Sequence, residues 1–157
     1  MSGPALFQRH AHHAIHESAF CEAEELTEIL GELMTASDYD KATMVVPVLI
    51  EHWQTRTLVH ADEEERGLYQ EILEQRPEAE PLIHTLKRDH QLLHLIVDEI
   101  KGVMTELGSE QEDEHRVQSL SRALDGFKML LWINRIHSST EETKLLNDES
   151  RLEKGVV

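Results

Sequence analysis

The chain has a single cysteine, Cys21, in 157 residues. That excludes an intrachain disulfide and any metal site built from clustered thiolates. No apolar run is long enough to span a bilayer. The first twenty residues hold four histidines, Arg9 and Glu17 where a secretory signal would place an apolar block, so the expected compartment is the cytoplasm. Basic residues are few, 15 against 31 acids, for a net charge of -16. Such a surface argues against nucleic acid and against anionic membranes as partners, since both reward positive charge. Aromatics make up only 4%, so the core must be built mainly from aliphatic side chains. Alternating apolar and polar positions of the kind that mark strands are missing too. The length suits one domain around one core.

What the chain has instead is helical periodicity and histidine. Gly3-Pro4 suits a helix start, with the proline near the first helical position. Leu6, His13, His16, Phe20, Ala23, Leu26 and Leu30 then recur at helical spacing. Ala36 to Asp40 breaks the pattern, with Ser37 and Asp40 as a loose capping box. A second stripe follows through Val46, Leu49, Ile50, Trp53, Thr57, His60 and Glu64. Pro47 within it is expected to kink or delay the helix. Arg76-Pro77 ends that run, and Pro81 fits the first turn of a third helix. The third stripe is Ile83, Leu86, His90, Leu93, Val97, Ile100, Met104 and Leu107. Leu107-Gly108 reads as a stop and Ser109 with Glu112 as a new capping box. Leu120, Ala123, Phe127, Leu130, Ile133, His137 and Glu141 mark the inner side of a fourth helix, with Lys144 and Arg151 suited to its C-terminus. The expected fold is all-α, an antiparallel up-down-up-down four-helix bundle with helices over about 5–35, 38–74, 79–107 and 110–146.

Two histidine–carboxylate pairs stand out. His60 and Glu64, and again His137 and Glu141, lie four residues apart. On a helix that spacing points both side chains the same way, one above the other. His137 follows His60 by 77 residues, Glu141 follows Glu64 by 77, and His90 follows His13 by 77. Each half of the chain then reads as a helical hairpin, with a histidine on its first helix and His-x-x-x-Glu on its second. With 23 Glu and 11 His, composition alone yields about one or two such pairs, so the pairs by themselves decide little. Their convergence decides more. Four helices each carry a histidine on an otherwise apolar stripe, and so many buried polar groups are costly unless a metal satisfies them.

Imidazole and carboxylate without thiolate suit iron, manganese or zinc. The candidate donors are His60, Glu64, His90, His137 and Glu141, with one or two of His13 and His16, and His94 as a further option. The 77-residue offset favours His13, and the apolar stripe favours His16. His10 and His12 read as pointing outward or supporting the site from behind. About seven donors exceed one tetrahedral zinc and suit two metals bridged by the carboxylates. The one Glu-x-x-His, Glu112 to His115, lies in a polar stretch and reads as solvated. His52 and His84 fall off the inward stripes and read the same way. Trp53 and Leu130, each seven residues before a stripe histidine, are expected to pack one layer beyond the metals.

The segments His-Ala-Asp-Glu-Glu-Glu-Arg-Gly-Leu-Tyr, Arg-Asp-His-Gln-Leu-Leu-His and His-Ser-Ser-Thr-Glu-Glu resemble the hemerythrin-like, or HHE cation-binding, domain. The resemblance covers the chain from about Leu6 to Leu146. It implies an up-down-up-down bundle holding two non-haem iron ions that an oxo group can bridge. Five histidines and two bridging carboxylates would bind them, with a free position for dioxygen or another small diatomic ligand. His60 and Glu64 match the family's second-helix pair, His137 and Glu141 its fourth-helix pair, and His90, after Arg88-Asp89, its third-helix histidine. Oxygen-carrying members place an Asp five residues after the fourth-helix histidine. Here Glu141 stands at four and Glu142 at five, and the bacterial branch's spacing of four selects Glu141. The family's third helix can carry His-x-x-x-His; His90 and His94 have that spacing, with Leu86 where the first of the pair is usual. The function implied is binding or sensing of oxygen or nitric oxide, or iron handling. The alternative is a di-iron enzyme of oxidative or nitrosative stress defence.

Overall fold

A computed structural model describes residues 9–107 and 112–146. All the regular structure among them is helical, and four long helical stretches form a bundle. The first is Arg9–Thr35. The second is built in pieces: Tyr39–His52, a π-helical turn at Trp53–Leu58, Val59–Arg66, and Leu68–Gln75 after a break at Gly67. A 3-10 turn, Pro77–Ala79, leads to the third helix, Glu80–Thr105, with Pro81 in its first turn. The fourth is Asp113–Thr140, prolonged by a π-helical turn, Glu141–Leu145. Among the described residues no helix is long and apolar enough to cross a membrane.

The first connection is sharper than its sequence suggests. Ser37 takes a left-handed backbone conformation, with φ of 57°. Its N–H donates to the carbonyl of Met34, and that of Asp38 to the carbonyl of Leu33. This is the paired ending that satisfies a helix's last carbonyls. Asp38, rather than Ser37, then caps the next helix, accepting from the Lys41 N–H at 3.3 Å. The second helix does not break at Pro47; regular α-geometry gives way six residues later, at Trp53. The expected capping box after Gly108 falls largely on 108–111, and Arg151 on 147–157, all outside the described residues; Glu112 opens the fourth helix with no side-chain cap.

Two apolar clusters make up the core. The larger contains Ala23, Leu30, Val46, Leu49, Trp53, Leu93, Val97, Ile100, Leu120, Phe127 and Leu130, among others. The smaller contains Leu68, Tyr69, Ile72, Ile83, Leu86, Leu145 and Leu146. Along the second, third and fourth helices the stripe histidines and glutamates fall between residues of one cluster and residues of the other. Trp53 and Leu130 pack in the larger cluster, as expected. The inward stripe of the fourth helix is Leu120, Ala123, Phe127, Leu130, Asn134, His137 and Glu141. Its spacings alternate three and four, the pattern of a bundle seam. Asn134 holds the place expected for Ile133.

Candidate metal centre

Seven side chains meet between the two clusters. His12 and His16 come from the first helix, His60 and Glu64 from the second, His90 from the third, His137 and Glu141 from the fourth. They form two sets, His12–His16–His60–Glu64 and Glu64–His90–His137–Glu141, and the ligating atoms of each set all lie within 4.8 Å of one another. Glu64 belongs to both. Its Oε1 faces Nε2 of His12 at 2.9 Å, of His16 at 3.2 Å and of His60 at 2.7 Å. Its Oε2 faces Nε2 of His90 at 3.2 Å. Glu141 divides in the same way, with Oε1 at 2.7 Å from His12 and Oε2 at 3.0 Å from His137. Both carboxylates therefore turn one oxygen to each end of the cluster.

Of the residues picked out by sequence, His16, His60, Glu64, His90, His137 and Glu141 are brought together. His13 and His94 are not. His13 is exposed and pairs with Glu142 at 2.9 Å. His94 faces Asp62 at 3.2 Å on the rim. His12, expected to point outward or to support the site from behind, is fully buried in the cluster itself. The reason is rotation: neighbouring residues on a helix diverge by about 100°, whereas His12 and His16, four apart, share a face. The 77-residue offset that favoured His13 thus misses by one position. His52 also departs from expectation. It is half-buried and its Nε2 bonds the Ala19 carbonyl at 3.0 Å, tying the second helix to the first. His84 and His115 are exposed as expected.

The chain matches no family model, and comparison with curated proteins and with solved structures gives no match either. The chemistry of the site must therefore be argued from its own atoms.

The donor set fits metal ions. Nε2 of His16 lies 3.0 Å from Nε2 of His60, and Nε2 of His90 lies 3.1 Å from that of His137. Converging ring nitrogens repel if both are protonated, and at most one of each pair can donate. Nδ1 of His12, His16 and His137 are buried without a hydrogen-bond partner among the described residues. Oε1 of Glu141 joins them, because His12 approaches it closely but off the hydrogen-bonding direction. Such orphaned polar atoms are rare in folded proteins. The three Nδ1 atoms lie on the far side of rings whose Nε2 faces the cluster, whereas Oε1 of Glu141 faces it and would gain a partner from a cation there.

Without metal, protons must do part of that work. Burial opposes charge on His12, but the Glu141 and Glu64 carboxylates outweigh it and raise its pKa to about 10. Burial likewise opposes charge on His137, and Asp89 and Glu141 outweigh it, raising its pKa to about 9. For His16 burial wins, and its pKa is lowered. Burial and the charge of Glu64 push the Glu141 pKa up, yet His12 and His137 bring it down to about 2. Burial is overcome at Glu64 as well, by four imidazoles, which hold it well below the usual carboxylate range.

Supporting contacts lie behind the donors. Nδ1 of His90 meets Glu65 at 2.9 Å, and Asp89 stands 3.6 Å from Nδ1 of His137. A hydrogen bond like that between His90 and Glu65 fixes ring orientation in metal sites, while Asp89 acts on His137 by its charge. Tyr69, quoted in the sequence motif but given no role there, is fully buried. Its hydroxyl donates to Oε2 of Glu141 at 2.9 Å and lies 3.4 Å from Oε2 of Glu64. A cavity of about 20 Å3 lies against His16, His60, His90 and His137, away from that hydroxyl in its lining. By volume it has room for one water-sized molecule.

Proposed function

We propose that this chain is a hemerythrin-like, HHE-type protein holding two non-haem iron ions and taking dioxygen or a related diatomic, such as nitric oxide, as its ligand. The observation that carries this is Glu64, whose two carboxylate oxygens each face a different set of imidazoles. A carboxylate so placed suits a bridge between two cations. His12, His16 and His60 would hold one ion, His90 and His137 the other, with Glu64 and Glu141 shared. Three histidines on one side against two on the other leave the second ion short of a donor, which suits an open ligand position. When bound, the irons would supply reversible electron exchange with a small ligand. The chain itself supplies orientation, a small cavity and the exclusion of bulk water by two apolar clusters.

The topology proposed is up-down-up-down. Its support is the order in which each helix meets the layers. The second and fourth run from the larger cluster through the site to the smaller one, and the third runs the opposite way. The first passes from the site residues into the larger cluster. Reversal at each connection is what short loops between antiparallel helices produce.

The test is iron-replete expression, elemental analysis and an optical spectrum in air. Two irons per chain without haem is the expected result. One tightly bound zinc, or no metal, would overturn the proposal.

A further inference from the structure

The cavity beside the cluster is lined by four apolar residues, Ile15, Ala19, Ala61 and Leu93, by five of the cluster donors, and by the polar side chains of Arg56 and Thr57. Asn134 also lines it. This residue is 95% buried, being only 5% exposed, and sits on the inward seam of the fourth helix one turn before His137. An asparagine there is costly, since an amide taken out of water needs partners for both its ends. Among the described residues its amide is not one of the sealed polar atoms left without a partner, as Nδ1 of His12 and of His16 are. Of the other polar groups in the wall, Thr57 is half-buried and in contact with solvent, and Arg56 is exposed and paired with Glu22 at 3.0 Å, so both have partners outside the cavity. Asn134 has the cavity.

We infer that Asn134 is the specificity-determining residue of the ligand cavity, its amide NH2 donating a hydrogen bond to the outer atom of the small ligand. The inference rests on the di-iron reading and adds a ligand class to it. A wholly apolar cavity would treat a neutral diatomic and an anion of similar size by shape alone. An amide donor favours ligands whose outer atom carries negative charge or a strong lone pair, because that interaction is gained only on binding. Small anions and oxygen ligands that gain charge on binding belong to that class.

The probe is azide, a linear anion with an accepting outer atom, titrated into the iron-loaded protein. Metal content of the wild type is measured first. Asn134→Leu keeps the branched shape and removes the donor; Asn134→Ala removes the donor and enlarges the cavity. Azide affinity is expected to fall about tenfold in both, with a shift of the azide antisymmetric stretch in the infrared. Without metal, Asn134→Leu is expected to melt no lower than the wild type, since the amide is not needed to hold the helix in place. Unchanged azide affinity in a protein that holds two irons would overturn the inference and leave the di-iron reading standing. So would weaker binding in Asn134→Leu with undiminished binding in Asn134→Ala, which is steric exclusion alone. A lower melting point for metal-free Asn134→Leu would mean a structural role instead. A wild type without metal would overturn the di-iron reading and this inference together.

Discussion

The hydroxyl of Tyr69 donates to Oε2 of Glu141 at 2.9 Å, joining the second helical stretch to a residue 72 positions further on. The same hydroxyl reaches Oε2 of Glu64, and the ring lies parallel to that of His90, 8° between planes and 5.7 Å between centroids. One side chain thus steadies both shared carboxylates and one imidazole. Burial, with the Glu141 and Glu64 charges beside it, holds the phenol pKa well above its ordinary value, so it stays a donor. Tyr69→Phe keeps the ring and removes the donor. The metal-free protein is expected to lose about 1–2 kcal/mol in denaturant unfolding. Metal affinity is expected to fall about tenfold in competition with a chelator. If neither changes, the hydroxyl does not position the carboxylates.

Neighbouring carboxylates test the assignment of the shared pair. Glu64 and Glu141 are fully buried among the imidazoles, while Glu142 turns outward to His13 and Glu17 toward Arg135. Glu64→Ala and Glu141→Ala are each expected to leave fewer than about one metal per chain, since a lost bridge affects both ions. Glu142→Ala and Glu17→Ala are expected to keep near-normal content by elemental analysis. The reverse order for Glu141 and Glu142 would show that the fourth-helix carboxylate has been misassigned.

On the first helix the discriminating pair is His12 and His13, adjacent in sequence and opposite in fate. His12→Ala is expected to abolish most of the gain in melting temperature that metal confers, which in simple linkage is ~4 kcal/mol at ~1,000 times the dissociation constant. His13→Ala is expected to leave that gain nearly intact. Thermal unfolding with and without chelator measures both. Equal effects would mean that the first helix turns differently when metal is present.

That pair also shows where the sequence was legible. His60, Glu64, His137 and Glu141 are readable because spacing of four aligns side chains whatever the helix's absolute rotation. His90 is readable because it interrupts a long, regular apolar stripe. His12 was not, because four histidines crowd into seven residues at a helix start, where few apolar neighbours fix the rotation. The rule of four applied to the histidines themselves, pairing His12 with His16, carried the missing signal. Asn134 lost its place to Ile133 because an apolar residue was preferred for an inward position. Tyr69 had no readable signal at all. In an unbroken helix it would lie about 140° around from Glu64. The break at Gly67, with φ of -120° and ψ of -81°, interrupts that rotation between Glu64 and Tyr69. The two π-helical turns beside the site were equally invisible, and the first changes register enough to bury Leu58 where Thr57 was expected.

The last prediction concerns pH. In the metal-free protein the pKa values of His12 and His137 are raised from 6.5 to about 10 and about 9. A raised folded-state pKa contributes stability that is complete below the unfolded value and is lost as pH rises through the folded one. Metal-free stability is therefore expected to decline between about pH 6.5 and pH 10, with a slope approaching two protons up to about pH 9, where His137 has titrated, and one beyond it. His16, lowered by burial, acts in the opposite sense and costs stability as pH falls below 6.5. The lowered carboxylates Glu64 and Glu141 contribute stability above 4.5 that is lost in stronger acid, for Glu141 through about pH 2. Metal binding needs the rings neutral, so it displaces the protons of His12 and His137. Two measurements follow from one cause. Calorimetric titration of metal near pH 7.5, in buffers of different ionisation enthalpy, is expected to show release of about two protons per chain. The difference in melting temperature between loaded and chelated protein is expected to widen from pH 6.5 to pH 9. A constant difference, or no proton release, would mean that the buried carboxylates do not hold His12 and His137 in their charged form.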